Sequence, residues 1–218
     1  MTRQNFDLQI ALVKEKLLNL AVMVNNLQEQ AVKALAEHDD ELAQDLIAGD
    51  QQVNHAQREI EETCLTLIAS QQPVARDLRV IFSASSIAWE LERMADHAKG
   101  IAVLAQRLAG QPLLKPLIDI PRMAEIGREL LMGQIDAFMR SDMAAARALA
   151  ARDSEVDQLN DQVFRELLVF MMTDPRTITR ATYLLWVAHN LERFADRTTN
   201  IGERVVFMAT NMVVELNE

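Results

Sequence analysis

Two carboxylates four residues apart recur in this chain: Glu92 and Asp96 within "ELERMADHAKGI" (90–101), and Glu192 and Asp196 within "NLERFADRTTNI" (190–201). On a helix such residues are neighbours, and like charges there repel by about a few tenths of a kcal/mol when exposed and by more when partly desolvated. Two chemistries offset that repulsion. One is guanidinium pairing, for which Arg93 and Arg193 lie within the motifs and Arg76, Arg79, Arg176 and Arg180 near the starts of the same helices. The other is a hard or borderline cation, which gathers oxygen ligands from more than one helix. A second helix offers them in each half: Asp50 with Asn54, and Asp153 with Asp157, repeat the same spacing.

The second copy is the richer one. His189, Glu192, Asp196, Asn200 and Glu203 follow at steps of three or four, a polar stripe with an imidazole at one end, where the first copy reads Trp89, Glu92, Asp96, Gly100 and Val103. A metal would therefore be held more tightly by the second half. An oxygen-rich set accepts magnesium, manganese, iron or zinc, so spacing does not choose between them. Other chemistries lack their parts. The chain has no Glu-X-X-His, the signature of ferritin-like carboxylate centres, and no Ser or Cys beside a His that would activate it. No enzyme is expected.

The elements that must carry these residues are helices. Half of the residues are apolar, aromatics make up 5%, and 218 residues hold only six Gly and five Pro, the composition of helices with little turn or strand punctuation. A net charge of −10 argues against a nucleic-acid surface, which needs clustered Lys and Arg. Cys64 stands alone, which excludes an internal disulfide and suits a reducing compartment. The opening residues lack the compact apolar core and small-residue cleavage site expected of a secretory leader, and no apolar run approaches the roughly 18–20 residues that span a bilayer. The expectation is a soluble, cytoplasmic, all-α protein.

Helical periodicity predicts helices over 6–37, 40–70 and 73–109. "GQPLLKPLIDIP" (110–121) breaks the pattern with three Pro and one Gly, after which helices are predicted to about Arg140, over 142–172, and from Asp174-Pro175 to about Val214. The two runs match in detail. "DQQVN" (50–54) parallels "DSEVD" (153–157), Gln72-Pro73 parallels Asp174-Pro175, and Leu91, Glu92, Arg93, Ala95, Asp96 and Ile101 match Leu191, Glu192, Arg193, Ala195, Asp196 and Ile201 at one constant offset. The chain is an internal repeat: two tandem, pseudo-symmetric three-helix bundles, 1–110 and 111–218. Ala84, Ala88, Leu91 and Ala95 form a core stripe, as do Leu184, Ala188, Leu191 and Ala195, leaving the paired carboxylates on its flank.

These residues resemble the PhoU family, regulators of the phosphate-specific transport system and of phosphate signalling. The resemblance covers nearly the whole chain: "FDL" (6–8), "AQDLIAGDQQVN" (43–54), "QPVARDLR" (72–79) and both Leu-Glu-Arg-X-Ala-Asp copies, the second extended through "TNIGE" (199–203). It implies two tandem three-helix bundles and, from those members that hold multinuclear iron or zinc clusters, metal ligands at Glu92, Asp96 and Asp50 and at Glu192, Asp196, Asp153 and Asp157. Asn200 extends the second set. Many members carry Asn in place of Gly100 and an acid in place of Asn54, departures that weaken the first set. The function implied is an adaptor between the ATPase of the phosphate transporter and its sensor histidine kinase. In that role it is a negative regulator of phosphate uptake and of the phosphate-starvation genes, working as a homodimer. The competing reading is a carboxylate-rich metal-binding or metal-storage protein.

Overall fold

In the computed structural model, which describes residues 3–216, every regular element is helical. The first half contributes α1 (Arg3–Glu37), α2 (Asp40–Gln71) and α3 (Ala75–Leu108). The second contributes α4 (Asp119–Arg140), α5 (Met143–Ala150), α6 (Asp153–Thr173), a 3-10 turn (Pro175–Thr177) and α7 (Ile178–Thr210). None of these helices is long and apolar enough to cross a membrane.

The repeat extends to the joints. His38 and Ser141 both take left-handed backbone, at φ 54° and 57°, and each is followed by an N-cap aspartate. Asp39 accepts from the Leu42 amide at 2.9 Å and Asp142 from the Ala145 amide at 3.0 Å, satisfying a donor that the first helical turn leaves unpaired.

Two elements differ from the sequence expectation. The helix expected over 142–172 is broken at Ala151 and Arg152, where the Arg152 amide bonds back to Leu149 O, three residues earlier, and α6 starts afresh at Asp153. Neither Pro nor Gly marks the break. Arg152 is held there by side-chain bonds to Glu155 (2.8 Å) and to Glu129 of α4 (3.1 Å), so a tertiary contact fixes the corner. The last helix ends at Thr210 instead of near Val214, because Asn211 adopts φ 63°, a left-handed cap that Asn tolerates well. The tail then folds back, and the Leu216 amide donates to Glu203 Oε1 at 3.1 Å.

α3 and α7 cross as an antiparallel pair at the centre of the molecule. Arg79 bonds to Met208 O, Ser83 to Arg204 O, Glu90 pairs with Arg197 and His97 meets Asn190, so contacts step forward in one helix as they step back in the other. Combined with the constant offset of the repeat, this register puts the local two-fold between Arg93–Met94 and Arg193–Phe194, inside the two motifs. Both alanine-rich stripes are buried, Ala84, Ala88, Leu91 and Ala95 in one apolar core and Leu184, Ala188, Leu191 and Ala195 in the other. Each of the two apolar cores draws on both halves. One combines Leu17, Ile60, Ile81 and Leu91 with Phe138, Phe194 and Val205; the other combines Leu35, Ala102 and Leu108 with Met123, Leu167 and Leu184.

Candidate functional site

The break before α6 puts Asp153 in its first turn and Asp157 one turn later, facing α7. Asp153, Asp157, Glu192 and Asp196 line one cleft of about 360 Å³, walled also by Ala150, Ala151, Ser154 and the returning Leu216. Crowding of carboxylates in a partly desolvated space raises the proton affinity of Asp153, Asp157 and Glu192. Burial first, then Asp157, Asp196 and Glu192, push the Asp153 carboxyl up to about 7, although a helix N-terminus favours the anion. Burial and neighbouring charge raise Asp157 and Glu192 as well. Arg193 answers one charge, with Nη1 3.1 Å from Asp196 Oδ2. Glu192 Oε2 lies 3.2 Å from His189 Nδ1, yet it is buried and in no hydrogen-bond geometry.

Does this set suit a metal? The oxygen-only donors, the orphaned Glu192 oxygen and the raised proton affinities fit a hard cation such as magnesium, manganese or iron better than zinc, which prefers nitrogen and sulfur. Among the described residues no three His, Cys, Asp or Glu side chains converge to coordination distance as they stand. The four acids share a cleft and do not yet form a cage.

The first half has the same backbone plan and different chemistry. Asp50 is 7% exposed and its Oδ2 accepts from Lys99 Nζ at 2.8 Å and from Asn54 Nδ2 at 3.3 Å. Burial, Asp96 and Asp50 raise Glu92, opposed by Arg93, which places Asp50, Glu92 and Asp96 in one electrostatic group. With an ammonium on Asp50 and an amide N–H turned toward it, this set does not fit an added cation.

Asn200 lies apart from the acids with which the sequence groups it. Its Nδ2 donates to Glu90 Oε2 at 3.1 Å across the α3–α7 crossing, because its place on α7 turns it toward α3 instead of α6. Several arginines expected to offset the motifs also act elsewhere. Arg79 donates to Met208 O, Arg176 pairs with Asp174, Arg180 bonds Pro112 O, and Arg93 lies 3.4 Å from Glu90. His97 meets Asn190 of α7, Nδ1 to Oδ1 at 3.2 Å.

Two residues escaped the sequence reading. Lys99 is three residues after Asp96 and seven after Glu92, so helical spacing alone placed it on their face. Glu90 joins Arg93, Arg197 and Asn200, and its counterpart Asn190 bonds His97; only the two-fold crossing, invisible to local periodicity, gives that position its partners.

Comparison with known proteins agrees with this architecture. The family model described as the PhoU domain matches twice, over residues 17–105 and 120–205. The chain is 36% identical to the "Phosphate-specific transport system accessory protein PhoU homolog" of Aquifex aeolicus over 93% of this chain and 91% of that protein. It is 34% identical to the protein of the same name from Clostridium acetobutylicum, over the full length of both. The crystal structure of PhoU from Pseudomonas aeruginosa superposes with a TM-score of 0.90 at 32% identity, covering 95% of this chain and all of the other. That of the phosphate transport system regulatory protein PhoU from Streptococcus pneumoniae gives 0.89, also at 32% identity, over 96% and 99%. Two helical repeats, each matched by the family model, and likeness over nearly the whole chain make this chain a member of the PhoU family.

Proposed function

We propose that this protein is an accessory regulator of phosphate transport, a cytoplasmic adaptor that couples the ATPase of a phosphate transporter to its sensor histidine kinase. When phosphate is plentiful it restrains both uptake and the phosphate-starvation genes. The observation that carries the reading is the unbroken likeness, from end to end, to proteins named as accessories of the phosphate-specific transport system. The geometry is consistent with a binding role. The helices expose large apolar side chains, including Trp186 (60% exposed) and Phe164 (52%), which with Leu185 line a cleft of about 450 Å³ between α6 and α7. Such a surface suits a partner protein. In this reading the role is non-enzymatic and the chain works as a homodimer.

Within that role the second-half cleft is a cation site. Asp153, Asp157, Glu192 and Asp196 would hold magnesium, manganese or iron. The ion would supply fixed positive charge that ties α6 to α7. The metal-storage reading gains no support from the family.

The test is expression of a reporter for phosphate-starvation genes in cells of the encoding organism that lack this chain. In high phosphate the reporter is expected to be on, and to be silenced when the chain is restored. A Trp186→Asp, Phe164→Asp variant that folds should restore silencing less well. A reporter that stays off without the chain would overturn the reading.

A further inference from the structure

The repeat makes the two carboxylate sets comparable position by position, and one substitution separates them. Lys99 of α3 corresponds to Thr199 of α7. The lysine extends from α3 to place its Nζ 2.8 Å from Asp50 Oδ2 on α2, joining the two helices through an ion pair whose carboxylate side chain is 10% exposed. Thr199 is fully buried, its hydroxyl has no hydrogen-bond partner, and it is too short to cross to α6. The other Asp50 oxygen, Oδ1, is also buried without a partner, so the lysine satisfies one side of an acceptor pair built to face a cation.

We infer that Lys99 is the built-in counter-ion of the first half: its ammonium takes the place of a free cation between α2 and α3 and decides that an added ion enters the second half alone.

Three physical points support this. A tethered ammonium acts at an effective concentration of about millimolar or above, so a free ion must compete with a group that is always present. The ammonium sits 2.8 Å from a carboxylate whose side chain is only 10% exposed, so water screens the pair poorly. Asn54 donates its amide N–H to the same Asp50 oxygen at 3.3 Å, beside the ammonium, and leaves Oδ1 as the oxygen open to an ion once the lysine is gone. The inference rests on the cation reading of the second half only for the contrast between halves.

The experiment titrates the full chain with manganese(II) chloride, counting free ion by electron paramagnetic resonance and following the thermal midpoint. Lys99→Met is expected to bind about twice the manganese of the unsubstituted chain. It should lose thermal stability without the ion and regain it with the ion. Lys99→Arg, which keeps the charge, should behave like the unsubstituted chain, and adding Asp50→Asn to Lys99→Met should abolish the gain. If Lys99→Met does not fold, Lys99→Gln keeps a donor for Asp50 without charge and carries the same expectation. A folded, uncharged variant that binds no extra manganese overturns the inference, as does a gain that survives Asp50→Asn. Manganese bound by Lys99→Met through Asp50, with none bound by the unsubstituted chain, supports the role of Lys99 and removes the second-half cation site.

Discussion

At the scale of single residues, the same acid repels its neighbours in both halves and is offset differently in each. Asp153 shows the consequence most clearly. Its carboxyl titrates near 7 in the folded chain against an ordinary value of 3.8, so between these values the folded state binds the proton more than the unfolded state does. Stability must then fall as pH rises from about 4 to about 7, with the loss complete above that window. Asp153→Asn should flatten this decline, and thermal melts across the window will show it; equal slopes in the two proteins would contradict the assignment. The identity of these acids was legible in the sequence, because i, i+4 spacing on two matched helices specified Asp153, Asp157, Glu192 and Asp196. Where Asn200 pointed was not legible. Periodicity placed it on the stripe, and the α3–α7 crossing turned it to Glu90.

At the scale of elements, the helices were legible wherever apolar periodicity or proline spoke, and illegible where tertiary contacts decided. The corner at Ala151–Arg152 has no breaker residue and depends on what Arg152 reaches. Both of its ion pairs are partly exposed, so Arg152→Ala should cost no more than about 1 kcal/mol each. Amide hydrogen exchange in 151–155 should nevertheless accelerate, and unchanged exchange would show that another contact fixes the corner. The α4–α7 contact is less forgiving. A Cβ on Gly202 would lie 2.8 Å from Gln134 Nε2, and Gln134 is fully buried with that nitrogen donating to Ala146 O at 3.0 Å. Gly202→Ala must displace the bond or the helix, and should destabilise by about 1–3 kcal/mol in a denaturant titration. A neutral substitution would mean that the interface is looser than its packing indicates.

At the scale of the whole molecule, the repeat in the sequence revealed two bundles but not how deeply they share their interior. Leu91 and Ile81 pack in the same core as Phe194 and Val205, so one half cannot lose its packing without exposing the other. Thermal unfolding should be a single calorimetric transition, and Phe194→Ala, at a fully buried position beside the local two-fold, should cost about 3–5 kcal/mol and lower that one transition as a unit. Two separable transitions would show independent halves. In such a shared frame a cation held in the proposed site between α6 and α7 would be felt by α3 through the central crossing. The most direct measurement is therefore the metal-to-protein ratio of untagged protein by elemental mass spectrometry, beside a Glu192→Ala, Asp196→Ala variant that folds. Metal retained by the unsubstituted chain and lost from the variant is the predicted result, whereas two equally metal-free proteins, or equal metal in both, would contradict a cation site in the second half.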